Sequence, residues 1–391
     1  MKLLHLADLH IGKRLNEFSL LEDQKHILKE ILDLTEDIRP AGILIAGDVY
    51  DKSVPAGEAV EILDDFLTEL VALRAPVFLV SGNHDSPERL NFGSRILAPN
   101  GVHIAGTFEG ALKQVTLRDE YGPAHIYLLP FIKPAMARPH FPDRNIESYE
   151  DAVRAVIEAA PIDSGERNLL VAHQFVTSGT TEPERSDSET IAVGGLDNID
   201  ASVFAPFDYV ALGHLHAPQS IGRETVRYAG SPLKYSFSEV RGQKSATLVE
   251  LAQKGTSRIE TVNLTPRRDL REIKGPLAEL LRAGAAGSPA DTLSGGLCQD
   301  YIRAVLTDED EVLDAIGRLR QVYPHIMRLD FENSRTKQGT EAAAAAAGDA
   351  AQKSPLDLFA EFYLRQNNRE MTEEQGRIMR EVLEQAGGGG Q

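Results

Sequence analysis

Cysteine occurs once in the 391 residues, as Cys298, and this excludes an intrachain disulfide as well as a thiolate-built structural zinc site. No apolar run is long enough to span a bilayer, and the N-terminus carries no apolar signal segment, so the expectation is a cytoplasmic protein. A phosphate-binding GxxxxGK[ST] loop is missing, so ATP hydrolysis is not an activity of this chain. Positive charge is in short supply too: 41 Lys and Arg face 59 Asp and Glu, a formal net charge of −18. Proteins that hold nucleic acid unaided are usually basic, because neutralising phosphates supplies most of the affinity. An acidic chain working on phosphodiesters therefore needs divalent cations, or a partner, to supply the positive field.

What is present is an ordinary globular balance, 42% hydrophobic and 26% charged, in a chain long enough for one large and one or two small units. The first half alternates strand-like and helix-like segments. "GILIAGD" (42–48), "PVFLVSG" (76–82), "HIYLLPF" (125–131), "NLLVAH" (168–173), "DYVALGHLH" (208–216) and "SATLVEL" (245–251) read as buried strands. Leu21, Ile27, Leu28, Ile31, Leu32 and Ile38 recur at helical spacing, as do Val60, Leu63, Phe66, Leu67, Leu70 and Val71. The pattern is α/β with layered sheet. A second unit is expected at 266–334, with strands at 300–308 and 325–333 around a helix over 308–323. The low-complexity stretch 335–353 reads as a linker. Helices are expected within 354–387, the first with Ser354 as N-cap, Pro355 at its first position, and Leu356, Phe359, Phe362 and Tyr363 along one stripe.

The chemistry is concentrated where strands end. "HLADLHIG" closes on Asp8 and His10, "AGDVYD" on Asp48, "SGNHD" on Asn83, His84 and Asp85, "VAHQ" on His173, and "GHLH" on His214 and His216. Alone, each fragment reads as a turn or a satisfied polar pair. Together they place five of the 11 histidines along one edge of an α/β sheet, where sites assemble. Imidazole nitrogen mixed with carboxylate and amide oxygen suits manganese, iron or zinc better than magnesium or calcium. Seven such ligands exceed what one ion needs. Two divalent ions sharing a bridging carboxylate is the economical solution, and such a pair clamps a phosphoryl group and generates hydroxide at neutral pH.

In this order, "LLHLADLHIGKRL", "GDVYDKSVP", "LVSGNHDSPERL" and "VGGLDNIDASVFAPFDYVALGHLHAPQ" resemble the Mre-type nucleases of DNA double-strand-break repair, members of the calcineurin-like metallophosphoesterase superfamily. The resemblance covers about residues 1–240. It implies a β-sandwich flanked by helices over 1–265, an α+β capping domain at 266–334, and C-terminal helices that dock an ATPase. It implies that Asp8, His10 and His216 bind one metal and Asn83, His173 and His214 the second, with Asp48 bridging. His84 would be the catalytic histidine outside the metal shell, and the adjacent Asp85 is expected to orient its ring.

Manganese is the implied ion, with magnesium as the alternative. The implied activities are a 3'-5' exonuclease on double-stranded DNA and an endonuclease on single strands and hairpins, in DNA repair, recombination and replication. The implied partner is an SMC-like ATPase of the SbcC type, joined as a homodimer within a heterotetramer at the nucleoid, with ATP entering only through that ATPase. Asp51 departs from archaeal and eukaryotic members, which carry a second phosphate-facing histidine there. Lys13, Arg14 and Arg89 adjoin the motifs, and solvated surface charge is the simpler reading of each. The polar loop 177–190 is open between substrate contact and idle surface. A small-molecule phosphodiesterase and a non-catalytic scaffold are the rival readings.

Overall fold

Strands buried on both faces read as unbroken apolar runs, and six such runs here pack into two sheets. The computed structural model describes residues 1–179, 181–189, 197–286, 297–310, 312–334, 359–364 and 369–379. In chain order the main elements are β1 (Lys2–Leu6), α1 (Leu21–Ile38), β2 (Gly42–Ala46), α2 (Gly57–Ala72), β3 (Val77–Val80), β4 (Val102–Ala105), β5 (Lys113–Asp119) and β6 (Gly122–Leu129). There follow α3 (Tyr149–Ala159), β7 (Arg167–His173), β8 (Tyr209–Gly213), β9 (Gln219–Ile221), β10 (Arg223–Tyr228), β11 (Ser245–Leu251) and β12 (Ser257–Asn263). One sheet has the order β12-β11-β1-β2-β3-β4 and the other β9-β10-β8-β7-β6-β5.

Alternation along the strands sorts the side chains into layers. Leu3, Leu44, Phe78 and Val80 of the first sheet meet Ile126, Leu128, Leu169, Val171, Tyr209 and Ala211 of the second. Leu4, Leu6, Ile43 and Ile45 point the other way, onto Ile27, Leu28 and Ile31 of α1 and Ile62, Leu63 and Phe66 of α2. Val60 falls off that stripe and is 45% exposed. On the far side, α3 packs Ala152, Val153 and Val156 against Leu170, Val210 and Leu212. Its start is fixed by a capping box in which Ser148 and Asp151 satisfy each other's backbone amides. The result is a helix–sheet–sheet–helix sandwich.

One polar group crosses the layer between the sheets. His5 Nε2 lies 3.2 Å from the carbonyl of Leu212 and Nδ1 lies 2.9 Å from the Tyr209 hydroxyl. A carbonyl only accepts, so Nε2 carries the proton and Nδ1 accepts from tyrosine. Burial, with the charge of Arg227, pulls this imidazole down to about 3. The unfolded chain therefore takes up a proton near pH 6.5 that the folded chain refuses. Stability is complete above that pH and drains away as pH falls towards the folded value, by about 2 kcal/mol at pH 5. Urea denaturation of His5→Gln beside wild type at pH 7.5, 6 and 5 checks this. The variant should lose less stability on acidification, and parallel losses would defeat the assignment.

Parallel register decides where the strands stop. Leu6 pairs with Ile45, Ala46 with Val80, and Gly213 with His173, so β1, β2, β3, β7 and β8 end in line. The residues that follow them share one edge of the sandwich.

The chain divides into two units, Met1–Glu272 with Ser288–Arg303 and Tyr323–Arg328, and Ile273–Gly287 with Ala304–Val322 and Leu329–Gln391. Within the first unit Arg268 pairs with Asp23 at 3.2 Å and the Tyr301 hydroxyl donates to the same carboxylate at 2.7 Å. A third sheet has Tyr301–Leu306 between Leu270–Gly275 and Ile326–Phe331. In the second unit the helix expected over 308–323 is confined to Ala315–Arg320. Asp314, before it, is left-handed at φ 46°, and the Asp308 carboxylate is occupied upstream, accepting from the Leu277 amide that opens helix Leu277–Ala286. The linker 335–353, the N-cap at Ser354, Pro355 and Leu356 lie outside the described residues. Residues 359–364 and 373–379 are helical, and Thr372 and Gln375 cap the latter reciprocally. Among the described residues no helix is long and apolar enough to cross a membrane.

Candidate metal centre

The turns after the strands are strained where they carry function. Among the described residues eight non-glycine residues have positive φ, and four are Asp8 (53°), His10 (43°), Asp48 (47°) and His214 (104°). Such conformations cost about 1–3 kcal/mol each and persist only where the surroundings over-determine them. Here backbone amides do so: Asp8 and His10 donate to the carbonyls of Gly47 and Asp48, and the His214 amide donates to Asp8 Oδ1 at 2.9 Å. Glycine is required beside them. A Cβ on Gly47 would lie 2.4 Å from the His173 ring, and one on Gly82 would lie 2.1 Å from Asp48 Oδ1.

All seven candidate ligands converge. Asp8, His10 and His216 present atoms within 4.8 Å of one another, as do Asp8, Asp48 and His173, and His10, Asp48 and His84. His10 Nε2 lies 3.1 Å from His216 Nε2. Asn83 Oδ1 lies 2.9 Å from His173 Nε2 and 2.9 Å from His214 Nδ1. Asp48 Oδ2 reaches both groups, at 3.6 Å from His10 Nε2 and 3.4 Å from His173 Nε2.

Hydrogen-bond directions show that this set fits a cation. His173 Nδ1 is 2.8 Å from the Ala46 carbonyl and must donate to it. Its Nε2, in the neutral ring, then turns a lone pair towards the oxygens of Asn83 and Asp48, which only a proton or a cation can reconcile. Asp8 Oδ2 is buried without any hydrogen-bond partner. The donor set is nitrogen and oxygen with no thiolate, as manganese, iron or zinc prefers.

Electrostatics agree. Burial opposes both charges of the Asp48–His173 pair, yet their mutual attraction prevails: Asp48 stays well below the ordinary carboxylate range, and His173 is raised to about 9. Burial and the Asp48 charge raise Asp8 to about 7. Burial, reinforced by the His173 charge, lowers His214 to about 3, and burial pushes His10 well down. A cation taking the place between His173 and Asp48 displaces the proton held there.

His84 stands apart. Its side chain is 24% exposed, against 1% for His10 and 0% for His173. Nδ1 donates to the Asp51 carbonyl at 3.0 Å, which leaves Nε2 facing the opening, 4.0 Å from Asp48 Oδ2. The ring is therefore aimed by Asp51 and not by Asp85. Asp85 accepts from the amides of Gly82 (2.9 Å), Val49 (3.1 Å) and Tyr50 (2.9 Å), a buried staple between two motif turns. Adjacency in sequence misassigned it, because a turn sends consecutive side chains in different directions. The Asp51 carboxylate pairs with Lys13 at 2.8 Å, Arg14 donates to the Glu17 carbonyl, and Arg89 is exposed.

Several supporting residues escaped the sequence reading. Gln24, buried on α1, donates to the His10 carbonyl at 2.7 Å and accepts from Gly12, and the Tyr235 hydroxyl donates to the Leu9 carbonyl at 2.5 Å. Ser188 and Glu189, from the polar loop 177–190, both reach His216, at its Nδ1 and its amide. A glutamine interrupting an apolar helical stripe was the one local signal. The loop offered none.

Residues 1–218 match the family model of the calcineurin-like phosphoesterases, and residues 266–367 match that of the type 5 capsule protein repressor C-terminal domain, SbcD_C. The SbcD component of nuclease SbcCD from Staphylococcus epidermidis is 34% identical over 333 residues, 84% of this chain and 85% of that protein. Among solved structures, a dimetal phosphatase from Danio rerio aligns at 14% identity and a TM-score of 0.41, over 69% of this chain and 97% of its own. A Thermus thermophilus protein aligns at 13% identity and 0.41, over 67% and 98%. By its family match over more than half its length and its relationship to the staphylococcal nuclease component, the chain belongs to the SbcD family of calcineurin-like phosphoesterases.

Proposed function

We propose that this protein is a DNA nuclease subunit with a two-cation centre, and that it works with an SbcC-type SMC-like ATPase. The observation that carries the reading is the convergence of Asp8, His10, Asp48, Asn83, His173, His214 and His216 from five strand ends of two sheets. Asp8, His10 and His216 hold one divalent cation, Asn83, His173 and His214 hold the other, and Asp48 lies between them. Manganese is the ion this donor set suits, and it answers the charge problem posed by −18. The cations supply activated water and charge stabilisation at phosphorus. The protein's own part is to fix the ligand rings by backbone bonds, as Ala46 does for His173, and to place His84 at the opening. There His84, in its doubly protonated form with Nδ1–H held by the Asp51 carbonyl, gives its Nε2 proton to the departing sugar oxygen.

Family membership further supports a 3'-5' exonuclease on double-stranded DNA and an endonuclease on hairpins and single strands, in DNA repair and recombination, with ATP entering through the partner alone. The segment matched at 266–367 is the candidate for capping and ATPase docking. Cytoplasmic, nucleoid-associated action follows from that role. For a homodimer within the heterotetramer, Phe92 (87% exposed) and Ile96 (78%) are apolar side chains available to a second copy.

The test is manganese-dependent cleavage of an end-labelled DNA hairpin by the purified chain, alone and with the ATPase, beside a small phosphodiester. Hairpin cleavage abolished by chelator is the expected result. Cleavage of the small ester alone, even with the ATPase present, would overturn the nuclease reading.

A further inference from the structure

Every polar group of His216 but one is held by the protein. Its amide donates to Glu189 Oε1 at 2.7 Å. Its carbonyl accepts from Lys244 Nζ at 2.7 Å and from the Ser231 amide at 3.2 Å. Its Nδ1 lies 2.8 Å from Ser188 Oγ. Only Nε2 is left, facing His10.

The direction of the bond at Nδ1 is decided one step further out. Ser188 Oγ also lies 2.8 Å from Glu239 Oε1, and the other oxygen of Glu239 accepts from Lys244 Nζ at 2.6 Å. A carboxylate facing an ammonium only accepts, and it is a stronger acceptor than the Ser186 hydroxyl 2.7 Å away, so the single hydroxyl proton of Ser188 goes to Glu239. The lone pair of Ser188 therefore receives the Nδ1 proton of His216, and Nε2 is left bare. Lys244 directs its three donors to Glu239, His216 and Ser231, all within the same buried cluster.

We infer that Ser188 and Glu239, anchored by Lys244, form a positioning relay that locks His216 in the Nδ1–H tautomer and aims Nε2 at the cation shared with Asp8 and His10. This rests on reading the centre as a cation site. It gives the loop of 177–190 its function, since the loop delivers Ser188. His173 obtains the same tautomer from a backbone carbonyl, which no side-chain change removes. The two cation positions thus differ: one has its histidine fixed by a strand, the other by a loop serine and a buried carboxylate. Such outer hydrogen bonds are worth about 10–100-fold in metal affinity.

The experiment uses the full chain and Mn2+ alone. Calorimetric titration of wild type and Ser188→Ala gives the affinity of each cation equivalent, and 15N spectra of histidine-labelled, metal-free protein give the His216 tautomer. Ser188→Ala should weaken one equivalent by about 10–100-fold, leave the other unchanged, and mix the His216 tautomers while the metal-free melting temperature holds. The conservative variant Ser188→Thr, which keeps the hydroxyl, should restore both readouts. Glu239→Gln paired with Lys244→Met, which spares the cluster a lone buried ammonium, should weaken the same equivalent. Two unweakened equivalents with an unmoved His216 spectrum would overturn the relay and leave the centre standing. Equal weakening of both, with a lowered melting temperature, would reduce Ser188 to a structural role. Failure of wild type to take up Mn2+ would overturn the centre and the relay together.

Discussion

His84→Ala is expected to lower phosphodiester cleavage by about 10²–10⁴-fold, the range that a positioned general acid contributes, with both cations still bound. Geometry makes this a discriminating experiment. His84 Nε2 shares a cluster with His10 and Asp48, so proximity alone makes the ring a further candidate ligand. Exposure and hydrogen bonding argue otherwise: it is the open ring, it is tethered through Nδ1 to the Asp51 carbonyl, and its Nε2 sits 4.0 Å from the nearest Asp48 oxygen. Metal analysis of wild type and His84→Ala, beside initial rates at saturating manganese, separates the roles. Loss of an ion together with activity would make His84 a ligand. The backbone amide of His84, which donates to Asp48 Oδ1 at 2.9 Å, survives the substitution, so the bridging carboxylate keeps its support.

Asp48→Asn should act in the opposite way, costing metal and rate together. The Asp48 carboxylate faces both ligand sets, His10 on one side and His173 on the other. Asparagine keeps the volume and still accepts the His84 amide, but it halves the acceptor capacity and removes the charge. Both cation equivalents should weaken, unlike the single one expected for Ser188→Ala. Losing several kcal/mol of charge stabilisation at the transition state corresponds to a rate loss of about 10³-fold or more. The carboxylate also keeps a proton on His173 in the metal-free chain, so the variant should release fewer protons when manganese binds. Calorimetry in two buffers of different ionisation enthalpy measures that number. An unchanged count with intact affinity would remove Asp48 from the centre.

Much of this site was legible in the linear chain because its determinants are local. A run such as Gly42–Ala46 is apolar on both faces only if it lies inside a layered sheet, and the ligand follows within two residues of where it stops. Parallel pairing then brings those stops to one edge, so Asp8, Asp48, Asn83, His173 and His214 could be grouped before any coordinate was known. What sequence spacing cannot carry is direction and distance between remote segments. It did not show that Asp85 turns inward to three amides while His84 turns outward to Asp51, since the strained backbone of one turn decides both. It did not show that Arg268 and Tyr301 close on Asp23. Nor did it show that Ser188, Glu239 and Lys244 meet at His216. The bonds of Ser188 to His216 and Glu239 span 28 and 51 residues of chain, with no periodicity to announce them. The sequence by itself determined which atoms are able to bind cations; only the packing of the two sheets, and the loop laid across their edge, decided which way each ring must face.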